Sequence, residues 1–290
     1  MVRYSRSFSS RFVTLLLYFL LGVLGALCLL PFWYILSVSL TPYTEVLKHG
    51  GFLLFPRQLT WQAYHEVLFE SALPHAFRNT LFITLAGTAL SLAFTIMGAF
   101  ALAKKELPLR RAFMLIIVFT MLFNGGIIPT YLIVKQTGLL DSLWSLIIPV
   151  LVSPFNLFIV KAFFEQMPEE LEDASIMDGV GEAGYLTRIV LPLSLPVIAT
   201  ISLFYAVGYW NSYFHAILYL NQSDLYPLQV VLRQMIATPD PMHASDMESV
   251  IPPETMKMAA VVIATLPILA VYPMLQKYFV KGATLGAIKG

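Results

Sequence analysis

The chain has 290 residues, of which 58% are apolar and only 12% charged. With a mean hydropathy of +0.75, against roughly a quarter charged in ordinary soluble domains, this excludes the soluble class and indicates an integral membrane protein. A formal net charge of +1 supplies no global field to recruit nucleic acid or an acidic partner, so charge matters only through its placement. Cys28 is the only cysteine, which excludes a disulfide framework or thiolate metal site within one chain.

Arg3, Arg6 and Arg11 precede the first apolar run in the manner of a secretory signal, but the run over 12–36 is too long for a signal core and reads as a retained first span. Charge-free windows seed five more spans, at 79–103, 112–134, 142–163, 197–220 and 258–279, each near or above the ~20 residues a helix needs to cross a bilayer. The alternating ten-residue segments of an outer-membrane barrel are absent, and helices satisfy their own backbone polar groups in lipid. The expected fold is an all-α membrane protein of six transmembrane helices in a single domain over 1–290. Lys and Arg concentrate at the ends facing one side: Arg3, Arg6, Arg11, Lys104, Lys105, Arg110, Arg111, Lys161, Arg188, Lys277, Lys281 and Lys289. This predicts cytoplasmic N- and C-termini, including a tail over 280–290.

The segments 37–77 and 221–257 then lie outside. In the first, Thr60 can cap a short helix on which Trp61, Tyr64 and Leu68 recur at helical spacing, a face suited to the membrane interface or to a neighbouring loop. In the second, Pro239, Pro241, Pro252 and Pro253 disfavour a long helix and predict a loop.

Between spans four and five a polar insert over 166–196 interrupts the apolar pattern. Pro168 suits the first turn of a helix, and Glu169, Glu170, Glu172 and Asp173 follow where the positive end of the helix dipole favours carboxylates. Gly179 and Gly181 break that helix, a second runs from about Glu182 to Val190, and Pro192 and Pro196 mark re-entry into lipid. Leu171, Ala174 and Asp178 share a stripe whose small residue permits close approach. A helix, a break and a helix on the cytoplasmic face form a docking surface on this reading.

These residues carry a resemblance. Asp173-Ala174-Ser175, then Gly179, then nine residues to Ile189 and Leu191-Pro192, resemble the EAA loop of permease subunits of bacterial ABC importers, with Asp for the usual Glu and Ser for the usual Ala. Arg78-Asn79-Thr80, Asn124-Gly125-Gly126 with Ile128-Pro129-Thr130-Tyr131, Trp210-Asn211 and the terminal Gly286-Ala287-Ile288-Lys289-Gly290 resemble the carbohydrate-uptake branch, the maltose-type G subunits. The NGGIIPTY and GLLDSLW stretches resemble complex-oligosaccharide and polysaccharide permeases, including alginate-type ones. The resemblance implies a type I ABC importer permease fold with a coupling-helix loop, in the bacterial cytoplasmic membrane. It implies import of oligosaccharides, including acidic fragments such as alginate or pectic oligomers, by alternating access. It also implies a homologous second permease, a cytoplasmic ATPase dimer and an extracytoplasmic solute-binding protein as partners. Glu172, Asp173, Ala174, Ser175, Asp178, Gly179, Leu191 and Pro192 are then the ATPase-coupling residues, with Glu172 able to supply the reach Asp173 lacks. Gly286, Lys289 and Gly290 are tail contacts.

The sequence has no Gly-rich loop ending in Gly-Lys-Ser/Thr, so ATP and its Mg should be bound by the partner ATPase and no cofactor by this chain. The histidines lack metal-ligand spacing, and no catalytic or metal residues are assigned. For a substrate path, span five offers Tyr205, Tyr209, Trp210, Asn211 and Tyr213, rings and amides of the kind that hold sugars; helix packing with polar tips at the interface is the other reading. Asn156 in span four is either a path residue or an interhelical hydrogen-bonding group. The lack of mid-span charge argues against an ion relay. An importer of the same architecture for another solute, and a structural or signalling membrane subunit, stand as alternatives.

Overall fold

A computed structural model describes residues 8–51, 53–237 and 253–287. The Pro-rich loop expectation over 238–252 and the tail residues Lys289 and Gly290 lie outside them. Among the described residues the secondary structure is helical, with no strand, and the chain divides into two compact units, Met1–Ala72 with Met235–Thr265 and Leu73–Gln234 with Leu266–Gly290.

In the first unit, α1 (Phe8–Ser39) is a 32-residue helix whose most apolar window buries none of its residues within the chain, as expected of a helix whose solvent is lipid. The helices α2 (Tyr43–Lys48) and α3 (Gln62–Phe69) follow. Thr60 Oγ1 accepts from the Gln62 amide at 3.2 Å, but the N-cap position of α3 falls to Trp61, whose side chain makes no capping bond, so Thr60 stands one residue before the place the sequence predicts for it. The aromatic face divides, however. Trp61 and Leu68 are exposed, whereas the Tyr64 hydroxyl hydrogen-bonds Ser39 Oγ at 2.8 Å.

The second unit is built on α4 (Leu73–Ala103). Ile83, Gly87, Ser91, Thr95 and Ala99, every fourth residue, are buried along one stripe of it, and α7 (Pro154–Phe164) and α11 (Leu195–Trp210) pack there. Small residues let membrane helices approach closely. At Gly87 a Cβ would lie 2.7 Å from the Tyr209 ring. One and two turns further on, Ser91 bonds the Tyr209 hydroxyl at 2.8 Å and Thr95 the Tyr205 hydroxyl at 2.7 Å. The residue numbers rise on α4 as they fall on α11, so the two helices run antiparallel.

Three of the remaining spans are bent rather than continuous. The window over 112–134 forms α5 (Arg110–Leu122) and α6 (Ile127–Gln136) at 114°. Gly126 between them has φ +90°, open to glycine alone at little cost, and its amide donates to Asn124 Oδ1 at 2.9 Å. The window over 142–163 begins as two 3₁₀ turns, Leu143–Leu146 and Ile148–Val150, and becomes α7 after a 50° bend. Pro149 and Pro154 cannot donate to a continuous helical ladder, and Ser153 caps α7 by accepting from Asn156 N. In the insert, α8 (Glu169–Met177), α9 (Glu182–Tyr185), a π turn (Leu186–Val190) and α10 (Leu191–Leu193) lead to α11, with an 85° bend between α10 and α11. The window over 197–220 ends in α12 (Phe214–Tyr219) after a break at Asn211-Ser212, and α13 (Leu228–Ile236) lies beyond. The last span is α14 (Glu254–Ala287), whose helix continues past residue 279 through most of the expected tail. Among the described residues three helices are long and apolar enough to cross a membrane, and each bent pair taken as one span brings the number to six.

Candidate functional site

A helix of 31 residues is about 46 Å long at the usual rise, so the two ends of α4 lie on opposite sides of a bilayer. Near the first end, neutral side chains on α4 make the fastenings. Asn79 Nδ2 donates to the carbonyls of Asp224 at 2.7 Å and Tyr226 at 3.2 Å, and Thr80 Oγ1 accepts from Leu228 N at 2.7 Å. Asp141 ties two loops together on that side. Its amide donates to Tyr219 O, and its carboxylate accepts from Asn221 N at 2.5 Å and from Asn221 Nδ2. The bonds from Asn221, backbone first, hold the Asp141 carboxyl below its ordinary range.

At the far end α4 stops against charge. Lys104 follows the last helical residue, and Arg110 Nε donates to the Leu102 carbonyl at 2.8 Å, where cations complement the helix dipole. The same side chains then reach the insert. Lys104 Nζ pairs with Glu172 on α8 and, at 2.8 Å, with Glu182 on α9. It lies over the rings of Phe100 and Tyr185, 5.1 and 5.3 Å from their centroids. Lys105 pairs with Glu169, while Arg110 and Lys161 share Glu165. All of these groups except Lys161 line a recess of about 820 Å³ against the insert. Burial alone would lower the Lys104 pKa, but hydrogen bonds and charge from Glu172 and Glu182 outweigh it and raise the value. Burial, then the Glu172 charge, pushes the Tyr185 hydroxyl up.

The insert residues divide by facing. Asp173, Ala174, Asp178, Gly179 and Pro192 are exposed, Leu191 is half-buried, and Ser175 is buried with its hydroxyl donating to Glu172 O. Glu172 pairs with Lys104, and Asp173 beside it is the exposed carboxylate at the motif position. Ile176 and Met177 add apolar surface, 62% and 88% exposed, which no sequence signal other than position singled out. Gly179 has φ +72° with nothing within 4 Å of a Cβ, so backbone conformation rather than crowding requires glycine. It ends α8 in a Schellman turn, with Val180 N bonding Ser175 O at 2.8 Å and Gly179 N bonding Ile176 O at 3.0 Å. Gly286 lies within the last turn of α14.

The substrate-path candidates mostly converge. A cavity of about 390 Å³ between α7 and α11 is lined by Asn156, Tyr205, Tyr209, Asn211 and Tyr213, together with Ser153, Ser212 and His215. His215 was legible only as an isolated histidine. Trp210 does not join them: it is buried edge-on against Phe77. The Tyr205 hydroxyl also accepts from Ser153 N at 3.0 Å, so the hydroxyls of Tyr205 and Tyr209 hold helices together while their rings form the cavity wall.

A helical bundle with a broken polar element at one end of its central helix is the architecture of a type I ABC importer permease. The family model for the binding-protein-dependent transport system inner membrane component matches residues 96–284, and the chain belongs to that family. It is 48% identical over 273 residues to Protein LplC of Bacillus subtilis (strain 168), covering 93% of this chain and 92% of that one. It is 44% identical over 285 residues to the polygalacturonan/rhamnogalacturonan transport system permease protein YtcP of the same organism, covering 97% and 99%. Among solved structures it matches a chain of a bacterial ABC transporter involved in the import of the acidic polysaccharide alginate, with TM-score 0.86 and 33% identity over 96% of this chain and 100% of that one. The protein is therefore a multi-pass inner-membrane permease subunit and not itself an enzyme.

Proposed function

We propose that the chain is the permease of an importer of acidic oligosaccharides, pectic or alginate-like, driven through its insert by a separate cytoplasmic ATPase dimer. End-to-end similarity to a permease named for polygalacturonan and rhamnogalacturonan carries the substrate class. The cavity between α7 and α11, with ring faces, amides and hydroxyls, has the chemistry to hold sugar units during passage. Both termini and the Lys104 end face the cytoplasm, as the Lys and Arg distribution requires. An extracytoplasmic binding protein delivers the solute at the Asn79 end, and a homologous second permease completes the path. ATP and Mg belong to the ATPase. Its closure pulls the exposed edge of α8, Asp173, Ala174, Ile176 and Met177, and the broken helix pair passes that motion to the spans.

The test is ATP hydrolysis by the whole transporter in proteoliposomes with its binding protein and either uronate-containing or neutral oligosaccharides. Uronate oligomers should stimulate hydrolysis and uptake. Stimulation by neutral oligomers alone would overturn the substrate class. Gly179→Val strains the Schellman turn, because a β-branched residue is disfavoured at positive φ. Preserved uptake in that variant would overturn the coupling role.

A further inference from the structure

Two halves of a broken element transmit force together only if something holds them to one another and to a span. The break between α8 and α9 comprises Asp178, Gly179, Val180 and Gly181, with Gly179 at positive φ, and glycines give a backbone hinge little stiffness. Among the described residues, Lys104 is the charged side chain whose ion pairs reach both halves, Glu172 on α8 and Glu182 on α9. It does so from the position directly after α4, the helix on which α7 and α11 pack. Its side chain is 17% exposed, against 74% for Lys105, and the rings of Phe100 and Tyr185 bracket it. Lys105 reaches only α8, and the Arg110 and Lys161 pairs end at Glu165, before the insert begins. We infer that Lys104 is the pin that makes α8, α9 and α4 move as one body, and so is a positioning residue for coupling. This rests on the coupling reading above.

The pin makes a demand on chemistry that packing alone does not. The two partners stand 68 and 78 positions from Lys104 in sequence, and the interaction needs a cation with reach, so Arg should replace Lys while an isosteric apolar chain should not. In the complete transporter in proteoliposomes, Lys104→Met should lower uptake per ATP hydrolysed about fivefold or more, the range seen when residues on a coupling route are altered. The ATPase subunits should still co-purify and hydrolyse ATP. Lys104→Arg should restore uptake to near the wild-type ratio. Glu172→Gln and Glu182→Gln together should match Lys104→Met, and adding Lys104→Met to them should produce no further loss, since one interaction is removed once. The glutamate pair also serves if Lys104→Met fails to assemble. In a Cys28→Ser background, spin labels at Ala174→Cys and Ala183→Cys should give one narrow distance in the parent and a broadened one in the pin variants. An unchanged uptake-to-hydrolysis ratio, or an unchanged distance distribution, overturns the inference. If Gly179→Val uncouples the transporter and Lys104→Met does not, only the pin fails; if neither uncouples it, the coupling reading itself fails.

Discussion

The two ends of α4 are fastened by different physics. At one, Asn79 and Thr80 use short neutral groups, hydrogen-bonded to backbone over 2.7–3.2 Å and buried to 7% and 0% exposure. At the other, Lys104, Lys105 and Arg110 use long cationic side chains paired with carboxylates that are a third to three-quarters exposed. A hydrogen bond weakens steeply with displacement, whereas an ion pair falls off only as the inverse of distance. The neutral end is thus a fixed post, and the charged end is a joint whose hold on α8 and α9 survives small displacements, so that they move with α4 as one body. A lever pulled by a partner needs the second kind at its base.

Overfilling the seam between those ends should have the largest effect on stability. Gly87→Leu drives a side chain into the Tyr209 ring, where even a Cβ comes within 2.7 Å, and should cost about 1–3 kcal/mol. Thermal unfolding of the solubilised transporter measures it, with Gly22→Leu, where nothing lies within 4 Å of a Cβ, as the neutral comparison. Equal midpoints would mean that α4 and α11 do not meet there.

Asn79→Leu should come next, at about 1 kcal/mol, because it removes the donor of two partly buried bonds to the Asp224 and Tyr226 carbonyls. Its signature is selective: stability falls while uptake per ATP is kept, the inverse of the change at Lys104. Loss of coupling without loss of stability at Asn79 would erase the distinction between post and joint.

The smallest effect is a pH response. The Asp141 carboxyl is held below its usual value by Asn221, so its contribution is present above the ordinary carboxylate range and is lost as pH falls through the depressed value. Glu169, held down by Lys105, behaves likewise. Lys104 and Lys105 are raised, so their contribution is present below the ordinary lysine value of 10.5 and lost only as pH rises beyond it. Both ends should therefore be intact around neutrality. The stability difference between the parent and Asp141→Asn should shrink on acidification below the usual carboxylate range; a difference constant down to that range and through it would exclude the Asp141 lock.

Much of this was legible in the chain. Composition and charge-free windows define an all-helical membrane protein because hydrocarbon forces about 20 apolar residues per span, and the spacing from Asp173 through Gly179 to Pro192 marks the insert. Hydropathy did not reveal that three of the six spans are bent, since Asn124-Gly125-Gly126 and Pro149 change direction without changing polarity. The Lys104 joint was invisible for another reason. Its partners stand 68 and 78 residues away, and pairing across such separations is created by packing rather than by local pattern. The sequence singles out Tyr205, Tyr209 and Tyr213 in span five, but the commitment of two hydroxyls to Ser91 and Thr95 depends on the antiparallel register of α4 and α11.

The most direct test of the account is a cysteine cross-link from the exposed edge of α8 to the ATPase in the assembled transporter. Ala174→Cys should form an adduct with an ATPase subunit whose yield changes with nucleotide, and Asp141→Cys, at the opposite end of the same unit, should form none. An ATPase that co-purifies yet cross-links only at residue 141, or at neither position, would contradict the claim that force enters through the insert.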